Sequence, residues 1–288
     1  MKKLKITTSV TKKHPFEVTH LDAYIKDLPK VFENYKIAHL TDFHFGICTP
    51  PNVIEKAVEI VCEIKPSVIC LTGDYVQVSA TGITHILATK VSPKLFKWKE
   101  YRRDVRKLAK EFARIIKPLN PADGIYGVFG NHDYHEGIGT IKRQFPKTIK
   151  WLVNESIQIE KNNSKISISG IDDYKFGKPS INKTVLNHKN KTAFDLLLAH
   201  NPDVFTTKGA EKLDRFNLTL CGHTHGGQIC LPGRKPIITR TSQKEHCSGL
   251  SYKNENAIYV SRGVGCGGLP LRIFCPAEIL IITLKHQH

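Results

Sequence analysis

No stretch of the chain approaches the roughly eighteen continuous apolar residues that a membrane-spanning helix requires. The amino terminus, MKKLKITTSVTKK, carries positive charge but no apolar run behind it, so nothing there resembles a secretory signal. The eight cysteines include no C-x-x-C pair, and several sit inside apolar runs, where cysteine acts as a small hydrophobe. A disulfide framework is therefore not expected, and a reducing, cytoplasmic setting is. Internal repeats, low-complexity tracts and Gly/Ser/Pro-rich linkers are all missing. Acidic residues are outnumbered, with 26 Asp and Glu against 43 Lys and Arg, for a net charge of +17. That imbalance predicts an anionic partner, substrate or docking surface.

What is present is a series of short apolar or alternating runs: KIAHLTD, SVICLTGD, IYGVFGNHD, ISISGIDD, FDLLLAHNPD, LTLCGH, AIYVSRG and ILIITL. Each has the length of a strand, and most stop at Gly, Asp, Asn or His. Between the first two, Ile54, Ala57, Val58, Val61 and Ile64 recur at helical spacing before Pro66, which predicts a βαβ unit. The strand-dense second half predicts a mixed sheet. With 288 residues and 40% hydrophobic composition, the chain can bury one large core without staples.

One segment differs from its surroundings. From Ser92 to Leu119, Trp98, Tyr101, Val105, Leu108, Phe112 and Ile115 recur at steps of three and four, and Lys94 to Lys117 contains ten basic and three acidic residues. The pattern predicts an amphipathic helix with a basic face. Two readings stand side by side: a core-packed helix with a solvated face, or a membrane-surface helix with Leu95, Phe96 and Trp98 entering lipid.

The ends of the strand runs concentrate metal-ligand chemistry. TDFH supplies Asp42 and His44, TGD supplies Asp74, GNHD supplies Asn131 and His132, AHNPD supplies His200, and GHTH supplies His223 and His225. Singly, Asp, Asn and Gly are ordinary turn residues. Together they form an oxygen and imidazole set without a thiolate, which suits two hard or borderline divalent ions better than a structural zinc.

The ordered blocks D-x-H, G-D, G-N-H-D, H and G-H-T-H resemble those of the calcineurin-like metallophosphoesterases, and all five occur between Asp42 and His225. The tail SRGVGCGGLPLRIFCPAEILIITL and the GGQI after His225 are similar to the bacterial branch of small phosphodiesterases and UDP-2,3-diacylglucosamine pyrophosphatases. The resemblance implies a four-layer αββα sandwich with mixed sheets. It implies one domain over residues 1–288, with 79–118 as a basic amphipathic helical insertion. It implies Asp42, His44 and His225 as ligands of one ion, Asn131, His200 and His223 as ligands of the other, and Asp74 as the bridge. His132 would contact the phosphate and protonate the leaving oxygen, while Asp133 and His135 would support the site without holding metal. The implied cofactor is a pair of divalent ions, manganese foremost, with iron, zinc and cobalt as alternatives.

The implied activity is hydrolysis of a phosphodiester or pyrophosphate, with a lipid-linked nucleotide such as UDP-2,3-diacylglucosamine as the preferred substrate and an anionic membrane surface as a peripheral partner. Soluble nucleotides or nucleic acid form the alternative, weakened by the absence of a nucleic-acid fold motif. A non-catalytic, metal-containing basic binding protein is the distant one. The run GDYVQVSATG lacks the acidic and arginine residues that follow G-D in the phosphoprotein phosphatases, which argues against dephosphorylation of proteins.

Overall fold

Strands whose two faces are both covered need apolar side chains on both, and the central runs of this chain supply them. The computed structural model describes residues 4–78, 98–187 and 192–287. Its first sheet contains β1 (Lys5–Lys13), β2 (Phe16–Ile25), β3 (Lys36–Leu40), β4 (Val68–Leu71), β5 (Ile125–Gly127) and β6 (Ile149–Trp151). Its second contains β7 (Glu155–Lys161), β8 (Ser164–Gly170), β9 (Asp195–Leu198), β10 (Leu218–Cys221), β11 (Gly249–Lys253) and β12 (Asn256–Val260). The C-terminal strand β13 (Ala277–His286) returns to the first sheet, which runs β1-β2-β13-β3-β4-β5-β6. The second sheet runs β11-β12-β10-β9-β8-β7.

Both sheets are mixed. β3, β4, β5 and β6 are mutually parallel, whereas β13 lies antiparallel to β3. β8, β9, β10 and β12 are parallel, flanked by antiparallel β7 and β11. The predicted βαβ unit is present as β3, helix α1 (Pro51–Ile64) and β4. Helix α1 buries Ile54, Ala57, Val58, Ile60 and Val61 and ends at Lys65, which adopts a left-handed conformation before Pro66.

The strand alternation assigns the layers. Ala38, Leu40, Ile69 and Leu71 face a core shared with α1, whereas Ile37, Val68 and Cys70 face a second core shared with Leu196, Leu198, Leu218 and Leu220 of the other sheet. Leu197, Ala199, Ile258 and Val260 point the opposite way, onto Val204, Phe205, Leu213 and Phe216 of short helical turns. The order is helices, sheet, sheet, helical turns: an α/β sandwich of mixed sheets, as the resemblance implied.

The basic helix, α2, runs Trp98–Ile116. Residues 79–97 of the expected insertion, Leu95 and Phe96 among them, lie outside the described residues. The helix stops before the expected Leu119, since Pro118 disfavours helical backbone at the residue ahead of it. Its apolar stripe is core: Val105, Ala109, Phe112, Ile115 and Ile116 are all buried with α1 and the first sheet. Phe112 meets Phe43 edge-on at 5.0 Å and lies 6.1 Å from Tyr75. Those five side chains are therefore not available to lipid. The helix braces the segments on either side of Asp42, His44 and Asp74, while Arg102, Arg103, Arg106, Lys107, Lys110 and Arg114 form its exposed face. Among the described residues, no helix is long and apolar enough to cross a membrane.

Candidate metal centre

Five parallel strands end on the same side of the sandwich, and each delivers its ligand-type residues within a few positions of its last sheet hydrogen bond. β3 leads to Asp42 and His44, β4 to Asp74, β5 to Asn131 and His132, β9 to His200, and β10 to His223 and His225. Carboxyl ends of parallel strands are where α/β sheets place their sites. Here two sheets contribute from opposite sides. Asp42, His44, Asp74, His223 and His225 all have positive φ, between 43° and 70°. For residues with a β-carbon this costs on the order of 1–3 kcal/mol each, a kind of strain that clusters at active sites.

The side chains form two buried clusters, each with its own aspartate. Asp42, His44 and His225 make one, Asp74, His200 and His223 the other, with ligand atoms within 4.8 Å of one another in each. His44 Nε2 lies 3.0 Å from His225 Nε2 and 3.8 Å from Asp42 Oδ1, and His225 Nε2 lies 3.3 Å from the same oxygen. In the second cluster His200 Nε2 is 3.2 Å from His223 Nδ1 and 3.1 Å from Asn131 Oδ1. Asp74 Oδ2 stands between the clusters, 3.5 Å from His44 Nε2 and 3.2 Å from His200 Nε2. The backbone N–H of His132 donates to the other oxygen, Oδ1, at 2.8 Å, which keeps Oδ2 turned inward.

These spacings fit divalent ions. Donor atoms about 2.1 Å from a metal lie roughly 3.0 Å apart in octahedral and 3.4 Å apart in tetrahedral geometry. Neighbouring groups also fix the donors. The His200 Nδ1–H donates to the Thr72 carbonyl at 2.6 Å, directing Nε2 at the cluster. Asp42 accepts hydrogen bonds from the Thr41 hydroxyl at 2.8 Å and from the His223 backbone N–H at 2.9 Å. Asp133 accepts from the backbone N–H groups of Asp74, Tyr75 and Gly130 at 2.8–2.9 Å, tying two ligand loops together.

The electrostatics match. Burial alone raises the Asp42 and Asp74 carboxyls, but surrounding imidazoles outweigh it and hold both below the ordinary carboxylate range. Burial lowers His200, yet Asp74 more than offsets this and carries it up to about 10. Burial, with further lowering by His200 and Lys175, leaves His223 well below the ordinary histidine value; burial does the same to His225, despite Asp42. Ionised carboxylates and neutral imidazoles are the forms that bind metal, so Asp42, Asp74, His223 and His225 stand in those forms, whereas His200 must release its proton as an ion enters.

His132 also reaches this centre. It forms a group with His44 and Asp74 inside the same 4.8 Å limit, and its ring centroid is 4.8 Å from that of His44. Burial is the main cause of its low pKa, about 3, against the opposing pull of Asp74. His135 lies farther out, its ring 6.0 Å from His132 and 4.3 Å from Phe176.

Sequence reasoning missed Lys175, an exposed residue of the loop after β8 whose Nζ reaches to 3.0 Å from His223 Nε2. The GIDD run marked that strand end, but nothing local pointed its lysine at a histidine of β10. Arg272 was also missed. It donates to the backbone carbonyls of Arg262, Gly263 and Gly265 and so holds the segment behind His225.

Two glycines permit the convergence. A β-carbon on Gly222 would fall inside contact distance of the Asp42 carboxylate and the Thr41 hydroxyl, and one on Gly130 would strike Asp74 and come 2.7 Å from His200 Cε1. Gly222→Ala is expected to reduce bound metal below two equivalents and activity by at least about 10-fold, within the range for disturbed support of metal ligands; elemental analysis and hydrolysis assays on the purified variant measure both. His225→Ala and His223→Ala should each lose one equivalent, from different clusters, with the remaining equivalent retained at saturating metal.

Comparison with known proteins agrees with this geometry. Residues 35–227, which contain all eight motif residues, match the family model described as calcineurin-like phosphoesterase. The metallophosphoesterase YkuE of Bacillus subtilis is 31% identical over 279 residues, covering 94% of this chain and 86% of its own. Phosphodiesterase YaeI of Escherichia coli is 29% identical over 276 residues, covering 93% and 87%. One solved structure superposes with a TM-score of 0.51 at 10% identity, covering 78% of this chain and 89% of its own, a likeness of fold alone. With its family match, its α/β sandwich and its paired clusters of metal-ligating side chains, the chain is a metal-dependent phosphohydrolase and belongs to the calcineurin-like phosphoesterases.

Proposed function

We propose that this protein hydrolyses a phosphodiester or pyrophosphate bond with two divalent ions, and that its substrate is a lipid-linked nucleotide of the UDP-2,3-diacylglucosamine class. The observation that carries the reaction is the pair of clusters with Asp74 Oδ2 between them. Asp42, His44 and His225 hold one ion; Asn131, His200 and His223 hold the other. Manganese suits such oxygen and imidazole donors, with iron, zinc or cobalt able to replace it. When bound, the ions lower the pKa of a water and neutralise charge that builds on the phosphoryl oxygens.

The protein's own groups do the rest. Asp74 sets the spacing of the two clusters. Asn131 offers a neutral carbonyl oxygen, which leaves more net positive charge facing phosphate than an aspartate would. Lys175 adds a cation on the His223 side. His132 contacts the phosphate and gives a proton to the leaving oxygen. Burial keeps the free imidazole neutral, and a phosphate anion bound beside it favours uptake of that proton from solvent.

The reaction is supported by similarity to a relative described as a phosphodiesterase, and the substrate class by the net charge of +17 and by the tail and GGQI resemblance. A peripheral place on the inner face of the cell membrane follows from it. To test the reading, the purified protein with added manganese is incubated with radiolabelled UDP-diacylglucosamine, linear and cyclic phosphodiesters and phosphomonoesters. Cleavage of the lipid-linked nucleotide at the highest kcat/KM is expected. Preference for a soluble nucleotide would replace the lipid reading, and metal binding without turnover of any of them would replace the enzyme by a binding protein.

A further inference from the structure

Seven of the eleven exposed large apolar side chains among the described residues lie in two short segments, 229–238 and 267–274; Leu231, Ile237, Ile238, Leu269 and Phe274 are each more than half exposed. The segments are bound to each other. The Cys230 N–H donates to the Ile273 carbonyl at 2.9 Å, the Ile273 N–H to the Gln228 carbonyl at 3.1 Å, and the Gln228 side-chain amide to the Leu269 carbonyl at 2.9 Å. Phe274 holds φ at 49° and is 59% exposed, a left-handed conformation that crowds a bulky residue and clusters at functional positions. Exposed apolar patches of this kind mark interaction sites.

The patch borders the metal centre. Gln228 follows His225 by three residues and accepts the Gly267 N–H at 2.7 Å. Gly267 packs on the His225 ring, since a β-carbon there would stand 2.7 Å from Nε2. Residues 229–240 and 265–276 contain Arg234, Lys235, Arg240 and Arg272 and no acid. Arg234, Lys235 and Arg240 are exposed, although Arg234 also pairs with Glu17 at 2.8 Å.

We propose that this acid-free pair of loops is the face by which the protein docks on an anionic lipid bilayer, with its apolar side chains among the acyl chains and its basic residues at the headgroups. The described apolar side chains of helix α2 serve another purpose, because Val105, Phe112 and Ile115 are buried. A second copy fits the face poorly, since a two-fold contact would set Arg234, Lys235 and Arg240 against themselves. Docking here presents His225 and its cluster to phosphates at the membrane surface. The inference rests on the lipid-linked reading of the substrate, so its test is a binding measurement that needs no turnover.

The holoprotein is mixed with phosphatidylglycerol-rich and with phosphatidylcholine vesicles. Binding to the anionic vesicles, weakened but not abolished by high salt, is expected. Two separate variants, Ile237→Ser with Ile238→Ser and Leu269→Ser with Leu271→Ser, should each weaken binding at least about tenfold, given the apolar area removed. Both should hydrolyse bis-p-nitrophenyl phosphate within about twofold of the parent if positioning at the metals is untouched. In a third variant, Ile238→Trp, the indole emission should shift to the blue with anionic vesicles and be quenched by brominated acyl chains. A parent indifferent to vesicles, serine variants that bind like the parent, or an unshifted indole would each overturn the proposal, as would a self-association that the serine variants abolish. Vesicle binding without cleavage of the lipid-linked nucleotide would defeat the substrate reading alone, whereas cleavage without vesicle binding would defeat the docking face alone.

Discussion

Asp74→Asn is expected to cost the enzyme most of its activity, a fall in kcat of about 10³-fold or more. Removing one donor that stabilises developing charge costs roughly 10²–10³-fold, and one oxygen of Asp74 lies between the clusters, 3.5 Å from His44 Nε2 and 3.2 Å from His200 Nε2. An amide keeps the shape and the bond from the His132 N–H to one oxygen, but it carries no charge with which to hold two cations together. The Asp74 carboxylate is also what raises His200 against burial, so the substitution removes the strongest local attraction for positive charge. Steady-state kinetics at saturating manganese, alongside metal analysis, measure the loss. Near-parental activity would show that the ions do not share this residue.

His132→Ala is expected to lower kcat by about 10²–10⁴-fold, the span typical of a positioned general acid, with metal content unchanged. The ring lies beside His44 and Asp74, close enough to be mistaken for a ligand, and the metal measurement separates the two roles. Loss of an equivalent would make it a ligand. A p-nitrophenolate leaving group needs little protonation, so bis-p-nitrophenyl phosphate should be affected far less than an alkyl diester. The acid works in its protonated form, so kcat should fall as pH rises through the pKa of His132 in the substrate complex, and the variant should lack that limb. Equal losses on good and poor leaving groups would leave His132 as a phosphate contact only.

Much of the site was legible because its residues punctuate strands. LTLCGHTH ends an apolar run at a glycine and then sets two histidines one residue apart. The structure shows why the glycine is there, since a side chain at Gly222 would collide with Asp42. The positive φ of Asp42, His44, Asp74, His223 and His225 was not legible, because sequence marks left-handed backbone mainly where glycine occurs. The β3–α1–β4 unit followed from local periodicity, whereas the pairing of β2 with β13 joins residues some 260 positions apart and has no local signal. Strand β1 is nearly all exposed, so no apolar alternation announces it. For helix α2 the spacing of Val105, Phe112 and Ile115 revealed an apolar face but not what covers it; the ring of Phe43, next to Asp42, does so in part. Conversely, the apolar residues of 229–238 and 267–274 read like core material and stand in the open, because hydropathy alone does not distinguish a buried loop from a docking face.

The most direct test of the account is a titration of metal-stripped protein with manganese that follows bound metal and hydrolysis of bis-p-nitrophenyl phosphate in the same samples. Two clusters joined by Asp74 predict that turnover rises with the second equivalent and saturates at two. Full turnover at one equivalent, or two tightly bound equivalents without turnover, would contradict it.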